Sequence, residues 1–79
     1  MNVFLKLSAS LRGYIEGYNP QQGLTAGFEP GESLADLLGR LGIPLDKIKI
    51  IMINGRHGDS GHRLEDGDRI GLFPPVGGG

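Results

Sequence analysis

The chain has 79 residues and a formal net charge of −1 at pH 7, with 38% hydrophobic residues, 22% charged residues and no cysteine. A chain of this length cannot fill two hydrophobic cores, and its ordinary hydrophobic content excludes intrinsic disorder. We therefore expect one small globular domain. The weak charge argues against nucleic acid or a membrane as partner, and the missing cysteine excludes disulfides, thiolate metal sites and a carrier thiol. We expect a cytoplasmic protein, because the sequence shows neither a membrane-spanning apolar run nor a signal-peptide pattern.

The first third of the chain predicts two strands joined by a long loop. In Asn2–Ala9 apolar and polar residues alternate, which is typical of a half-buried strand. The segment Arg12–Gly23, "RGYIEGYNPQQG", is rich in Gly, Asn, Pro and Gln and indicates a loop. A second strand is predicted near Leu24–Glu29, and the buried face of the first is formed by Val3, Leu5 and Leu7.

One helix is predicted in "PGESLADLLGRLGIP". Ser33 is the expected N-cap, Asp36 completes a variant of the capping box, and Gly42 and Pro44 are stop signals. The helix should therefore run from about Leu34 to Leu41. Its apolar stripe, which a sheet must cover, consists of Leu34, Leu37, Leu38 and Leu41.

The apolar run Ile48–Ile53 is too short for a second helix and predicts the central strand of the sheet. An Asn54-Gly55 turn follows, and an Asp66-Gly67 turn leads into a last strand, Arg69–Phe73. The order strand, strand, helix, strand, short strand, strand favours an α+β fold of the β-grasp type, a mixed sheet with one main helix on one face. The predicted domain covers residues 1–73, and residues 74–79 form a flexible tail.

Three polar motifs in the second half suggest chemistry but are better explained as surface. "GDSG", Gly58–Gly61, is similar to the nucleophile loop of trypsin-like serine proteases, which need two barrels that this chain has no room for. His57 and His62 could hold a metal with Asp59, but their spacing fits no helical site, and we interpret them as solvated histidines. "EDGD", Glu65–Asp68, lacks the spacing of a calcium loop and is interpreted as a turn. No metal site is predicted.

Most of the positive charge lies in the second half of the chain. It either forms a docking surface for an acidic partner protein or is a plain solvated face, and the sequence leaves both interpretations open. The residues concerned are Lys47, Lys49, Arg56, Arg63 and Arg69.

The last six residues, Pro74–Gly79, are either a frayed end or a working part. Prolines directly after a strand favour extended backbone, and glycines are thin enough to pass through a narrow channel. Fully extended, these residues could reach roughly 20 Å, enough to enter a partner's active site.

The ending "LEDGDRIGLFPPVGGG" resembles that of the ubiquitin-like sulfur carriers of the MoaD/ThiS type. "KLSASLR", "SLADLLGRLGIP" and "MINGR" are similar to that family's first strand, helix and turn, so the resemblance spans nearly the whole chain. Ser8, the long loop and the third glycine, Gly77, depart from the pattern. The matching terminal positions are Leu64, Asp66, Gly67, Asp68, Ile70, Phe73, Pro74, Pro75, Val76, Gly78 and Gly79.

This resemblance implies that the carboxylate of Gly79 is the covalent site. In the family it is adenylated with ATP by a ubiquitin-activating-type adenylyltransferase and then converted to a thiocarboxylate by sulfur from a persulfide donor enzyme. The chain would be a protein co-substrate and not an enzyme, with no bound cofactor. Tail insertion and partner docking are expected to involve Phe73, Pro74, Pro75, Val76, Gly77 and Gly78.

The acceptor pathway is predicted from the residues before the glycines. Phe73-Pro74-Pro75-Val76 resembles the molybdopterin synthase small subunit, which implies the large subunit of that enzyme as partner and the sheet face around Phe4 and Phe73 as docking surface. Two alternatives stay open: a carrier for thiamine synthesis that works with thiazole synthase, and a ubiquitin-like protein modifier.

Overall fold

The computed structural model describes residues 1–75, which form a five-stranded sheet and one α-helix. Two short 3₁₀ helices, Ala9–Tyr14 and Leu45–Lys47, complete the regular structure of these residues. The elements in chain order are β1 (Asn2–Leu7), β2 (Leu24–Gly27), α1 (Leu34–Leu41), β3 (Ile50–Ile53), β4 (Arg56–His57) and β5 (Arg69–Phe73).

The strands lie in the order β2-β1-β5-β3-β4. Strands β1 and β5 run parallel, whereas the other neighbouring pairs are antiparallel. The helix packs its leucines against the inner face, where Leu5, Leu7 and Leu72 are fully buried. This arrangement confirms the predicted α+β fold of the β-grasp type.

The prediction that Ile48–Ile53 forms the central strand is wrong. Strand β3 begins at Ile50 and lies fourth in the order, whereas β5 occupies the centre between β1 and β3. Only Ile53 of β3 is buried, because the outer neighbour of this strand is the two-residue β4. The long apolar run arises because Ile50 and Met52 lie on the outer face of the sheet, paired with Phe73 and Gly71.

The connection between β1 and β2, which includes the predicted loop Arg12–Gly23, is also more ordered than its composition suggests. Strand β1 ends at Leu7, and the 3₁₀ helix that follows carries Leu11 into the core, where it is fully buried. Burying one leucine at the end of the sheet is worth about 2 kcal/mol, which favours an ordered turn there. The second strand is shorter than predicted and ends at Gly27.

The helix agrees with its sequence signals. The Ser33 hydroxyl accepts a hydrogen bond from the Asp36 N–H at 3.1 Å, and the Asp36 carboxylate accepts one from the Ser33 N–H at 3.1 Å. Gly42 ends the helix in the left-handed region at φ 80°, which only glycine adopts freely. The predicted Asn54-Gly55 turn connects β3 to β4 with φ values of 52° and 83°, as a type I′ turn requires.

Candidate functional site

The central strand β5 leads directly into the predicted reactive segment. Its last residue, Phe73, accepts a hydrogen bond at its carbonyl from the Lys49 N–H at 2.8 Å, and the Leu72 carbonyl accepts one from the Ser8 N–H at 3.2 Å. The strand is therefore held from both sides up to its final residue. Pro74 and Pro75 have no N–H to donate, so the ladder cannot continue past Phe73.

Of the predicted tail and docking residues, the structure describes only the first three. Phe73 is 38% exposed, Pro74 is half-buried and Pro75 is exposed. The predictions for Val76, Gly77, Gly78 and Gly79 lie outside the described residues, and these predictions stay predictions.

The end of β1 is braced beside the point where β5 ends. Because β1 and β5 are parallel, their carboxyl ends lie on the same edge of the sheet, with Leu7 opposite Leu72. The Tyr18 hydroxyl accepts a hydrogen bond from the Leu7 N–H at 2.7 Å, and Arg12 Nε donates to the Leu7 carbonyl at 3.1 Å. Through Tyr18 and Arg12, the segment predicted as a loop thus holds the end of β1 in place beside the end of β5, which Pro74 follows.

The outer face of the sheet, which carries no helix, contains a groove along β1, β5 and β3. We call it the outer groove; its cavity volume is about 370 Å³. The structure places both predicted docking residues, Phe4 and Phe73, on it, and the Arg69 guanidinium lies over the Phe4 ring, 5.5 Å from its centre. The residues that line the groove include Phe4, Lys6, Met52, Arg69, Gly71 and Phe73.

The five basic residues singled out in the sequence divide among different parts of the structure. Among residues 1–75, only Arg69 of this set lines the outer groove. Arg63 instead donates a hydrogen bond to the Gly31 carbonyl before the helix, and Lys47 lies in the second 3₁₀ helix. Lys6, which the sequence pattern did not distinguish from any surface lysine, also lines the groove.

A buried polar cluster lies at the other end of β5. Asp68 is 5% exposed and accepts hydrogen bonds from the Asn54 side-chain amide at 2.9 Å, from the Glu65 N–H at 2.9 Å and from His62 Nε2 at 2.8 Å. Asn54 also accepts a bond from the Arg69 N–H at 2.9 Å. The interpretation of His62 as a solvated residue is therefore wrong, whereas His57 is exposed as expected.

The pKa of Asp68 reflects two opposing effects. Burial raises the pKa, but the hydrogen bonds from His62, Asn54 and the Glu65 N–H lower it, and the balance holds it below the usual aspartate value. The carboxylate is thus kept charged by its donors. The sequence pattern indicates Asp68 as part of a turn and as a position that matches the sulfur carriers, but not as a buried carboxylate. The signal that could have found its burial is the Asp-Gly-Asp spacing next to a buried strand.

The "GDSG" loop has a structural role at the start of the helix. The Ser60 and His62 carbonyls accept hydrogen bonds from the Ala35 and Leu34 N–H groups, which have no partner within the helix. The Asp59 side chain bonds to the Gly61 N–H at 2.8 Å.

In the described part of the chain, no group of three metal-ligating side chains is brought together. Among the same residues, no helix is long and apolar enough to cross a membrane.

Known proteins of similar structure support this description. SAMP1 from Haloferax volcanii is 20% identical, with full coverage of both chains and a TM-score of 0.71. A proposed molybdopterin converting factor subunit 1 from Pyrococcus furiosus is 24% identical, with 95% of this chain and 98% of that chain covered and a TM-score of 0.69. The HVO 2177 protein of Haloferax volcanii is 26% identical, with 100% and 87% covered and a TM-score of 0.72.

The likeness to these structures establishes the ubiquitin-like fold. The search of curated proteins found no match to the sequence. A family model described as Mut7-C ubiquitin matches residues 1–77. With the fold, this match confirms the predicted relationship to ubiquitin-like proteins of the MoaD/ThiS type. The chain belongs to the Mut7-C ubiquitin family.

Proposed function

We propose that this chain is a sulfur carrier whose Gly79 carboxylate is adenylated and converted to a thiocarboxylate that donates sulfur in molybdopterin synthesis. The observation that carries the proposal is the junction at Phe73: a central strand held on both sides is followed at once by Pro-Pro-Val-Gly-Gly-Gly. The strand supplies a rigid base, the prolines limit the directions in which the backbone can leave, and the glycines add no side chain that would obstruct a channel.

The chemistry needs an activated chain end and no catalytic side chain of this protein. A carboxylate is a poor electrophile and must first be activated. Attack of its oxygen on the α-phosphate of ATP gives an acyl adenylate and releases pyrophosphate. The terminal sulfur of a donor persulfide then displaces AMP from the carbonyl carbon, and a thiol cleaves the resulting S–S bond, leaving the thiocarboxylate and a disulfide. The adenylyltransferase supplies the nucleotide site and the groups that stabilise the transition states.

Molybdopterin synthesis is the acceptor pathway we favour. The residues Phe73-Pro74-Pro75-Val76 resemble the small subunit of molybdopterin synthase, and a protein of the same fold is described as a proposed molybdopterin converting factor subunit. In this role residues 74–79 are the reactive tail and enter the large subunit, while the domain of residues 1–73 remains outside.

The proposal is tested by intact-protein mass spectrometry after incubation with the adenylyltransferase of the same organism, ATP and a persulfide donor. We expect one oxygen-to-sulfur exchange, localised to Gly79 by fragmentation and absent from a variant that lacks Gly79. Co-purification with the large subunit of molybdopterin synthase supports the pathway, whereas co-purification with thiazole synthase assigns the carrier to thiamine synthesis instead.

A second candidate function is a ubiquitin-like modifier joined to lysines of other proteins. It is favoured by the structural likeness to the small archaeal modifier protein 1 of Haloferax volcanii, which is 22% identical and covers 95% of this chain with a TM-score of 0.72. Both candidates begin with adenylation of Gly79. Conjugates of higher mass that disappear when Gly79 is deleted indicate the modifier.

A further inference from the structure

The turn between β3 and β4 contains a dipeptide that is chemically reactive. Of the asparagines in the chain, Asn54 is the one followed by glycine, whereas Asn2 precedes a valine and Asn19 a proline. An asparagine deamidates when the next backbone nitrogen attacks its side-chain amide carbon. Glycine leaves that nitrogen accessible because it has no side chain, a β-branched valine shields it, and proline has no N–H to lose. The sequence therefore singles out Asn54.

The reaction needs only water as a second reactant. The Gly55 nitrogen forms a bond to Cγ of Asn54 and loses its proton, while the side-chain nitrogen leaves as ammonia. Water then opens the cyclic succinimide. Opening at one carbonyl gives aspartate, and opening at the other gives isoaspartate, in which the main chain passes through the side-chain carbon. In total one water is consumed, one ammonia is released, and a neutral amide becomes a carboxylate.

In the folded chain the Asn54 side chain is held by two hydrogen bonds to the start of β5. Its Oδ1 accepts from the Arg69 N–H at 2.9 Å, and its Nδ2 donates to Asp68 Oδ1 at 2.9 Å. These partners fix the orientation of the amide, because a backbone N–H only donates and a carboxylate only accepts. The side chain must leave both partners before Cγ can meet the Gly55 nitrogen. The two hydrogen bonds therefore oppose the reaction.

The product cannot make the same contacts. An aspartate here still accepts from the Arg69 N–H, but it has no N–H for Asp68, so two carboxylates would face each other. His62 and the Glu65 N–H both donate to the other oxygen of Asp68, Oδ2, and do not replace the lost bond. Asp68 is 5% exposed, so water is a poor substitute for the missing donor. Deamidation therefore removes one of the contacts that hold the amino end of β5.

We propose that Asn54 is a site of spontaneous deamidation, that its two side-chain hydrogen bonds protect it in the folded chain, and that deamidation while the chain is unfolded prevents its return to a stable fold. Each unfolding event then exposes the amide to an irreversible reaction, and such reactions set the working lifetime of a protein. The inference does not depend on chemistry at Gly79, because it concerns the opposite end of β5.

The protection is tested by incubating the purified protein at mildly alkaline pH, with and without enough urea to unfold it. Peptide mapping by mass spectrometry locates the small mass gain that follows replacement of the amide by a carboxyl group. We expect Asn54 to react more slowly in the folded protein by about tenfold or more, because two hydrogen bonds must break first. Equal rates in the two states overturn the inference, as does an unfolded chain in which Asn2 or Asn19 reacts faster than Asn54.

A pair of variants separates the two hydrogen bonds from the stability of the whole fold. Asp68→Ala removes one partner of Asn54 and should raise the rate in the folded protein by about fivefold or more. Leu11→Ala is the matched control, because it also destabilises the fold but lies in the core near the other end of the sheet. An equal rise in both variants overturns the inference. If either variant does not fold, the comparison of the wild type with and without urea decides the question.

The consequence of the reaction is tested with Asn54→Asp, which reproduces one product. We expect its melting temperature to fall by about 10 °C at neutral pH. Asn19→Asp adds the same charge but should change the melting temperature little, because the Asn19 side chain only accepts hydrogen bonds, from the Gln21 and Gln22 N–H groups. A melting temperature of Asn54→Asp equal to that of the wild type, or an equal fall in Asn19→Asp, overturns the inference.

Discussion

The two ends of strand β5 are built in opposite ways. At its amino end Asp68 is buried and bonded to three donors, whereas at its carboxyl end Phe73 is 38% exposed and Pro75 lies in solvent. Both ends belong to the single continuous segment that resembles the sulfur carriers. In the proposed function, a motif that is one unit in the sequence therefore serves two purposes: its first part holds the sheet together and its last part carries the reactive residues.

Physical chemistry explains why these purposes separate. A buried carboxylate is tolerated only where hydrogen bonds replace water, so its neighbours must be in place for the fold to be stable. At the carboxyl end the backbone of Phe73 is held in the sheet, but the exposed Phe73 side chain and Pro75 lie outside the core. Changes at the amino end should therefore alter stability, and changes at the carboxyl end should alter function.

The largest effect should come from the carboxyl end. Adding one alanine after Gly79 replaces the proposed reactive carboxylate with an amide, so we expect formation of the thiocarboxylate at Gly79 to be abolished. The melting temperature should stay within about 1 °C of the wild type, because a single exposed residue changes stability little. If the protein with the added alanine still acquired sulfur at Gly79, this would contradict the separation of stability at the amino end of β5 from function at its carboxyl end.

The amino end should respond in the opposite sense. Asp68→Ala leaves the Asn54 amide, the Glu65 N–H and His62 Nε2 without their acceptor, and we expect a loss of about 3 kcal/mol in the free energy of unfolding, measured by urea denaturation. Asp66→Ala is the matched control, since its carboxylate accepts one exposed bond from the Asn2 N–H. Equal losses for the two variants would show that burial at Asp68 does not matter.

The dependence of stability on pH should identify the same carboxylate. The pKa of Asp68 is lowered in the folded chain because the donated hydrogen bonds outweigh the effect of burial. The carboxylate therefore stabilises the fold above the unfolded aspartate pKa of 3.8, and this contribution is lost as the pH falls through the lower folded pKa. Urea denaturation between pH 7 and about 2 should show a smaller decline for Asp68→Asn than for the wild type. If the free energy of unfolding fell equally with pH in Asp68→Asn and in the wild type, the decline would come from other carboxylates.

A substitution remote from both ends should have the smallest effect. Gly39 is exposed in the helix and its would-be Cβ meets nothing within 4 Å, so Gly39→Ala should raise the free energy of unfolding by about 0.5–1 kcal/mol through helix propensity alone. Sulfur acquisition should not change. A loss of stability would mean that the surroundings of the helix differ from those described.

The sequence predicted the elements with strong local signals. The helix, its capping box and the two glycine turns rest on contacts within a few residues, and the structure has them as expected. Strand order and burial depend on pairings between distant residues, which a local pattern does not contain. For this reason the apolar run Ile48–Ile53 was assigned to the centre of the sheet although β5 lies there.

The candidate site was predictable to a similar degree. The resemblance to the sulfur carriers implies a docking face around Phe4 and Phe73, and both residues line the outer groove. Lys6 and Gly71 were missed, because a lysine and a glycine carry no signal until the register places them side by side. The interpretation of His62 as a solvated residue is wrong for the same reason, because its contact with Asp68 exists only once the loop is folded.

The central claim, that chemistry takes place at the Gly79 carboxylate, is tested most directly by fragmentation mass spectrometry of the intact protein after reaction. The adenylyltransferase, ATP and a persulfide donor are incubated with the wild type and with the alanine-extended variant. The account predicts an oxygen-to-sulfur exchange at Gly79 in the wild type alone. No exchange in the wild type, or an exchange located at any residue other than Gly79, would contradict it.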